Sequence, residues 1–418
     1  MRVLIIEQKY DGGHYLNYVR HLVQAFAPLG CEIVVAVPKP ALESAQFKMY
    51  LSPHRPRFRL EFIPSRDETI SRWRMILTNA RAFRALIARV KPDAVYVPTL
   101  EGYVLSIRDG VAQSLAWWLA LHPSLSRLHC EALLLGLPAA YGMTRRSPFI
   151  TKMAVRTMPF NVVHYIDPVV FDWVLSKVGG KAGRKARFIA DPVEPLSLPT
   201  RSKARSMLRL PEHNKLIMSI GLQDHRKGAD YLIRACALWQ PAEPASIVLA
   251  GKLSAQIRQL VSNEYRHLMD DGRLIVLDRY LSKEDFYACF AAGDLIATPY
   301  RPQPHPSHIV LHAATAGKMV LAANSGWCAY MVPKFSLGRL CNPQDPEILA
   351  EALDLALHEA EAYELSAAAK RLVEFHRSEN FVLQWRRELS RMMGKSEDAL
   401  PRDWNWVLNG EGEKTYSL

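Results

Sequence analysis

The pattern that most constrains this chain of 418 residues is a strand, a glycine-bearing loop, a helix and a further strand, written twice. The first copy opens with "RVLII", turns through "DGGH" and enters a helical run with Leu16, Val19, Leu22, Val23 and Phe26 at spacings near three and four. Gly30 follows as a C-cap and "CEIVVAVP" as the next strand. Such strands are continuously apolar, as burial on both faces of a parallel sheet requires. "DAVYVP" (93–98) and "FNVVHYID" (160–167) read as later strands of the same half.

The second copy starts at "KLIMSIG" (215–221), with "LQDHRKG" as its loop, "ADYLIRACALW" as its helix and "SIVLAG" as its next strand. A helix over 254–270 and the strand "RLIVLD" come after it. "SKED" (282–285) then forms a capping box that opens a helix. Next come the strand "DLIATPY", a short helix over 308–316, the strand "MVLAA", and a long helix led by Asp345 and Pro346. Between the copies lies "DPVEPLSLPTRSK" (191–203), rich in Pro, Ser and Thr, which reads as a hinge. The expected class is therefore α/β, with two Rossmann-like doubly wound domains facing across a cleft. Their expected bounds are 1–192 and 193–379, with a crossover helix and tail over 380–418. Ligands are expected outside the carboxyl ends of the strands, where loops and helix N-termini converge.

Charge is unevenly placed. Residues 1–195 hold 26 Lys and Arg against 15 Asp and Glu, whereas residues 196–418 hold 27 against 26. Runs such as "HRPRFRL" (54–60) and "RWRMILTNARAFRALIARVK" (72–91) carry the excess and suggest an anionic membrane surface or a phospholipid-linked acceptor as partner. A solvated basic surface is the competing reading. No nucleic-acid-binding module is readable, so nucleic acid is not an expected partner. No apolar run approaches the ~18–20 residues that cross a bilayer, the start is too short for a signal peptide, and six cysteines are scattered without metal spacing. These features point to the cytoplasm, peripheral to the inner face of the membrane.

From Leu295 to Gln344, fifty residues contain neither Asp nor Glu, although the chain as a whole has 41. Within that zone "HPSHIVLHAATAGKMVLA" (305–322) sets Ser307 as the N-cap of a short helix. A helix N-terminus offers unpaired N–H groups and partial positive charge, which together hold a phosphate. Carboxylates nearby would oppose it by Coulomb repulsion. Arg226 and Lys227, beside Gly228, add a planar fork and a compact charge at another strand-to-helix junction of the same half. Gly12 and Gly13 let backbone approach a ligand from the first half. A bound diphosphate accounts for all three features.

At these places the chain resembles the retaining glycosyltransferases of family 4, which have the GT-B fold. "IGLQDHRKGADYLIRA" looks like that family's Lys-Gly segment, "GDLIATPYRPQPHPSHIVLHAATAGKMVLAANSGW" like its donor block, and "NPQDPEILAEAL" like the segment after that block. The resemblance implies a nucleotide-diphosphate sugar held by the C-terminal domain, a glycan or lipid-linked acceptor held by the N-terminal domain, and a last helix near 380–393 crossing back to the first domain. Departures are specific. Leu222 stands where the family has an arginine, and Pro304 and His312 stand where it has two glutamates. The usual histidine after the fourth strand falls near Pro98, with Thr99 and Glu101 close by. The chain looks like a divergent bacterial subgroup with a serine-led block and no glutamate pair.

The expected site is accordingly Lys227 and Arg226 on the phosphates as the catalytic pair. Gly12, Gly13, Ser307, His308 and His312 meet the donor, and Arg279 and Tyr280 its base. His14 and Glu101 touch acceptor or sugar. The expected reaction is transfer of a hexose with retention, and neither a metal nor any other cofactor is expected. His308 and His312 share a helix face at zinc-like spacing, but no third ligand or general-base glutamate accompanies them. Two other readings compete. One is a catalytically weakened GT-B protein that binds nucleotide or glycan as a partner subunit. The other, a dinucleotide oxidoreductase, lacks a G-x-G-x-x-G turn.

Overall fold

The structure is a computed structural model that describes residues 1–10, 15–65, 72–100, 128–143, 148–396 and 399–410. The chain divides into two compact units. The first comprises Met1–Pro192 with Ser378–Trp404, and the second comprises Val193–Arg377 with the chain from Asn405 onward.

Among the described residues the first unit holds a sheet of seven parallel strands. They are β1 (Arg2–Ile6), β2 (Glu32–Pro38), β3 (Arg59–Ile63), β4 (Ala94–Val97), β5 (His129–Leu134), β6 (Val162–Tyr165) and β7 (Ala186–Phe188). Their spatial order is β3-β2-β1-β4-β5-β6-β7. The apolar runs bury fully: Val3, Leu4, Ile5, Val34, Val35 and Val95 have no accessible surface. The helix Ser378–Met392 belongs to this unit and packs on the helix Tyr15–Phe26. Phe381 lies 5.8 Å from the Tyr18 ring, and fully buried Trp385 lies 4.1 Å from His164 and 5.7 Å from Tyr96. The chain therefore returns to the first domain, with the packing helix two residues ahead of the expected 380. A further short helix, Trp404–Asn409, lies in a tail where no element was expected.

β5 carries a polar group into this core. Glu131 is fully buried and accepts hydrogen bonds from His129 and His164, each at 2.5 Å. Burial pushes the carboxyl up, but the two imidazoles outweigh it and hold Glu131 well below the usual carboxylate range.

The second unit holds six parallel strands among its described residues. They are β8 (Lys215–Ile220), β9 (Ala245–Ala250), β10 (Leu274–Leu277), β11 (Leu295–Thr298), β12 (Val320–Ala323) and β13 (Gly338–Cys341), in the order β10-β9-β8-β11-β12-β13. The caps expected from the residues are formed: Ser282 accepts the Asp285 N–H, and Asp345 accepts those of Glu347 and Ile348. The helix expected over 254–270 is two helices, Ala255–Asn263 and Arg266–Asp270, because the chain bends through Glu264 and Tyr265. Two parallel sheets with helices, each in doubly wound order, make up the two units.

Candidate functional site

In the second sheet the chain runs one way from β8 through β9 to β10 and the other way from β11 through β12 to β13. The loops leaving β8 and β11 therefore part at the carboxyl edge, which is where open α/β sheets take ligands.

The β8 loop is braced from beneath. Buried Gln223 donates its amide to the carbonyls of Ser219 and Gly221 (2.9 and 3.0 Å) and accepts from the Ser219 hydroxyl (3.0 Å). Asp224 accepts the Lys227 backbone N–H at 2.8 Å, turning the chain toward Gly228. Gly228 has φ +70° and opens the helix Ala229–Leu238. A Cβ there would lie 2.0 Å from the Pro299 carbonyl oxygen of the β11 loop. The glycine of the Lys-Gly pair thus allows two loops from opposite sides of the switch point to touch.

Polar side chains then lace those loops together. The Lys227 ammonium donates to the Tyr300 hydroxyl at 3.0 Å and sits 4.3 Å from the Tyr300 ring centroid. Arg226 donates to the Gln303 side-chain oxygen at 2.9 Å. Arg301 grips Asp230 with two bonds of 2.7 Å, donates to the His225 carbonyl, and stacks 4.1 Å from the Tyr231 ring. Burial pushes the Asp230 carboxyl up, yet the Arg301 hydrogen bonds outweigh it and its titration lies below the ordinary value.

Charge compensation separates these cations. Arg301 is matched by Asp230. Among the described residues, no carboxylate oxygen lies within 4 Å of the Lys227 ammonium, and the Asp224 carboxylate is 3.9 Å from Arg226. The acids flanking the acid-free zone lie elsewhere. Asp294 precedes β11 and pairs with Arg205 at 2.9 Å, while Asp345 caps the helix beyond the edge strand β13. An anion at the β8–β11 crevice would therefore meet net positive charge and the N-terminus of the helix His308–Thr315.

The other expected residues divide by place. Ser307 is buried, and its hydroxyl accepts the Val310 N–H at 3.4 Å, so it acts as a helix cap. His308 is half-buried at the first helical position. His312 is buried, with its ring 5.1 Å from Phe286 and 5.8 Å from Phe290 in packing contact. Arg279 and Tyr280 come after β10, two strands from β8. Arg279 pairs with Asp285 at 3.0 Å, and Tyr280 is 83% exposed. The pair thus stands two strands from the β8–β11 crevice. Gly12, Gly13, His14 and Glu101 lie outside the described residues. Among the described residues no three His, Cys, Asp or Glu side chains gather as a metal site. Sequence reasoning alone misses Tyr300, Arg301, Gln303 and Asp230. The available signal is "PYRPQ" directly after a strand, which sets an aromatic ring and a guanidinium at the carboxyl edge.

Known proteins match this half of the chain. Residues 200–372 match the family described as Glycosyl transferases group 1. The D-inositol 3-phosphate glycosyltransferase of Corynebacterium glutamicum (strain R) is 24% identical over 165 residues, which are 38% of this chain and 39% of that protein. This chain thus spans about two fifths of the length of that relative. Two solved structures are similar over nearly the whole chain. Sucrose-phosphate synthase from Thermosynechococcus elongatus has a TM-score of 0.69 at 17% identity, covering 94% of this chain and 100% of that one. Anabaena HepE in complex with UDP-glucose has a TM-score of 0.67 at 16% identity, with the same coverage. At such identities these structures show the fold. Residues 200–372 match the model of the group 1 glycosyl transferases, and the two halves of the chain have the fold of these solved structures.

Proposed function

We propose that the protein is a glycosyltransferase that moves a hexosyl group from a nucleotide-diphosphate sugar to a glycan or lipid-linked acceptor, with retention and without a metal. The observation that carries this reading is the Lys227 ammonium, with no carboxylate within 4 Å among the described residues, set with Arg226 at the switch point of the segment that matches the group 1 glycosyl transferases. Lys227 and Arg226 take the diphosphate, and the first-turn N–H groups of the helix behind Ser307 add to them. The acceptor oxygen bonds to the anomeric carbon while the carbon–oxygen bond to the diphosphate breaks, its electron pair leaving with the diphosphate. A departing phosphate oxygen receives the acceptor's proton, so the protein's part is positioning and charge stabilisation. Two cations and a helix dipole supply the countercharge a metal would otherwise bring. The ribose is assigned to His308 rather than to His312, whose ring is buried against Phe286 and Phe290.

The first domain is assigned to the acceptor, with His14 and Glu101 as contacts to acceptor or sugar and Gly12 and Gly13 assigned to the donor. Its exposed Lys39, Lys48, Arg55, Arg57 and Arg59, with Met49 60% and Phe62 46% exposed, support an anionic membrane surface as a partner at the cytoplasmic face. No helix of the described residues is long and apolar enough to cross a membrane. Co-sedimentation with phosphatidylglycerol but not phosphatidylcholine vesicles is the expected behaviour, and equal binding to both removes the surface.

Thermal unfolding with UDP, GDP and ADP, with hydrolysis of the matching sugar nucleotides as a second step, tests the main reading. A nucleotide at a hundred times its Kd adds about 2.7 kcal/mol to the stability of the native state. Failure of all three to raise the melting temperature ends the transferase reading. Pro304 and His312, in place of two glutamates, favour a second reading: a GT-B protein that binds nucleotide or glycan as a partner subunit. Binding without any sugar release selects it.

A further inference from the structure

The first sheet has its own switch point, between β1 and β4, and a carboxyl sits on it. Glu7 directly succeeds β1 and is 1% exposed. Its Oε2 accepts the hydroxyl of Thr99, the second residue after β4, at 2.6 Å, and its Oε1 accepts the Lys9 N–H at 2.8 Å. Further polar side chains flank it. Gln8 donates to the Asn79 side chain and to the Pro64 carbonyl, and the Lys9 ammonium lies 4.7 Å from the Tyr15 ring centroid.

Buried acids of this protein are held in two ways: Asp167 caps a helix and accepts the Tyr141 hydroxyl, whereas two others have cationic partners. Asp230 is gripped by an arginine, and Glu131 by two imidazoles. Glu7 has no ion pair among the described residues; the Thr99 hydroxyl and the Lys9 N–H hold it, with the Gln8 N–H and the Lys9 charge acting more weakly. A carboxylate offers about four acceptor positions, so both oxygens keep capacity. Burial of a carboxylate without an ion pair is costly. It pushes the Glu7 carboxyl up to about 7 against the pull of Thr99 and Lys9. Tuned carboxyls of this kind concentrate at functional sites, and this one lies where doubly wound sheets bind ligands.

We propose that Glu7, clamped by Thr99 at the β1–β4 switch point, holds a polyhydroxylated acceptor by accepting a hydrogen bond from one of its hydroxyls. The proposal rests on the transferase reading and names the residue by which the first domain selects its substrate. Above about pH 7, where Glu7 is ionised, a charge-assisted O–H···O⁻ bond of this kind is about twice as strong as a neutral one. Replacing the carboxylate by an amide of the same shape therefore weakens acceptor binding while leaving the second domain intact.

Binding of myo-inositol, D-glucose and D-galactose is measured by ligand-observed NMR on wild type, Glu7→Gln and Thr99→Val, beside the melting shift with UDP, GDP and ADP. Wild type is expected to bind at least one of the polyols. Glu7→Gln should weaken it tenfold or more and Thr99→Val severalfold, and both should keep the wild-type nucleotide shift, which reports folded protein. No polyol binding by wild type, or equal binding by Glu7→Gln, overturns the role of Glu7 even where nucleotide binds. Polyol binding that depends on Glu7 with no nucleotide response sinks the transferase reading and leaves Glu7 a polyol ligand.

Discussion

Lys227→Ala is expected to weaken binding of the nucleotide diphosphate by ten- to a hundredfold while leaving the fold nearly as stable. Charge-assisted hydrogen bonds contribute about 1.5–3 kcal/mol each where a charged group is desolvated by its partner, and about 1.4 kcal/mol is tenfold in Kd. The small effect on stability comes from the contacts Lys227 makes. Its ammonium meets a hydroxyl and a ring face, and among the described residues no carboxylate stands within 4 Å to be left unpaired. Tyr300→Phe is the informative partner. It removes the hydroxyl that holds the ammonium but keeps the ring beneath it, so affinity should fall much less than in Lys227→Ala. Titration of both variants with the nucleotide that raises the wild-type melting temperature decides the matter. An unchanged Kd in Lys227→Ala removes the lysine from the site. A loss in Tyr300→Phe equal to that in Lys227→Ala makes the hydroxyl, not the charge, the group that matters.

Both sheets are legible in the sequence because their central strands are apolar on two faces, so "RVLII" and "KLIMSIG" leave few alternatives. The strands that escape such reading are those whose burial is not two-faced or not apolar. β3 and β7 are the edges of the first sheet, and β3 begins in the basic run "HRPRFRL", which reads as charge before it reads as strand. β5 is interior but carries His129 and Glu131, whose polarity makes sense only once β6 brings His164 beside them. β13, at the edge of the second sheet, starts at a glycine and carries an arginine paired with Glu359. The candidate site is legible as far as local chemistry reaches. Lys227, Arg226 and the helix behind Ser307 are marked by neighbours in sequence. Tyr300, Gln303 and the Arg301–Asp230 pair arise from two loops more than seventy residues apart, and the sheet order alone makes them meet. His312 shows the converse. Helical spacing puts it one turn from His308, but which side of the helix meets Phe286 and Phe290 is set by packing.

Gly228→Ala should unfold the crevice without touching any group that binds a ligand. A residue with a side chain at φ +70° costs about 1–2 kcal/mol in backbone strain. The new Cβ would also stand 2.0 Å from the Pro299 carbonyl oxygen and 2.9 Å from its carbon, so backbone must move. Overpacking of that kind costs a further ~1–3 kcal/mol. The movement separates the β8 loop from the β11 loop, and with it the Lys227–Tyr300, Arg226–Gln303 and Arg301 contacts. A lower melting temperature and a lost nucleotide response should therefore arrive together. Gly317 is the matched control. Its φ is +68°, nearly that of Gly228, but nothing lies within 4 Å of a Cβ built there. Gly317→Ala should show the backbone cost alone, about 1–2 kcal/mol, with nucleotide binding kept. Equal losses in the two variants would mean that left-handed backbone, rather than the touching of two loops, is what the Lys-Gly glycine provides.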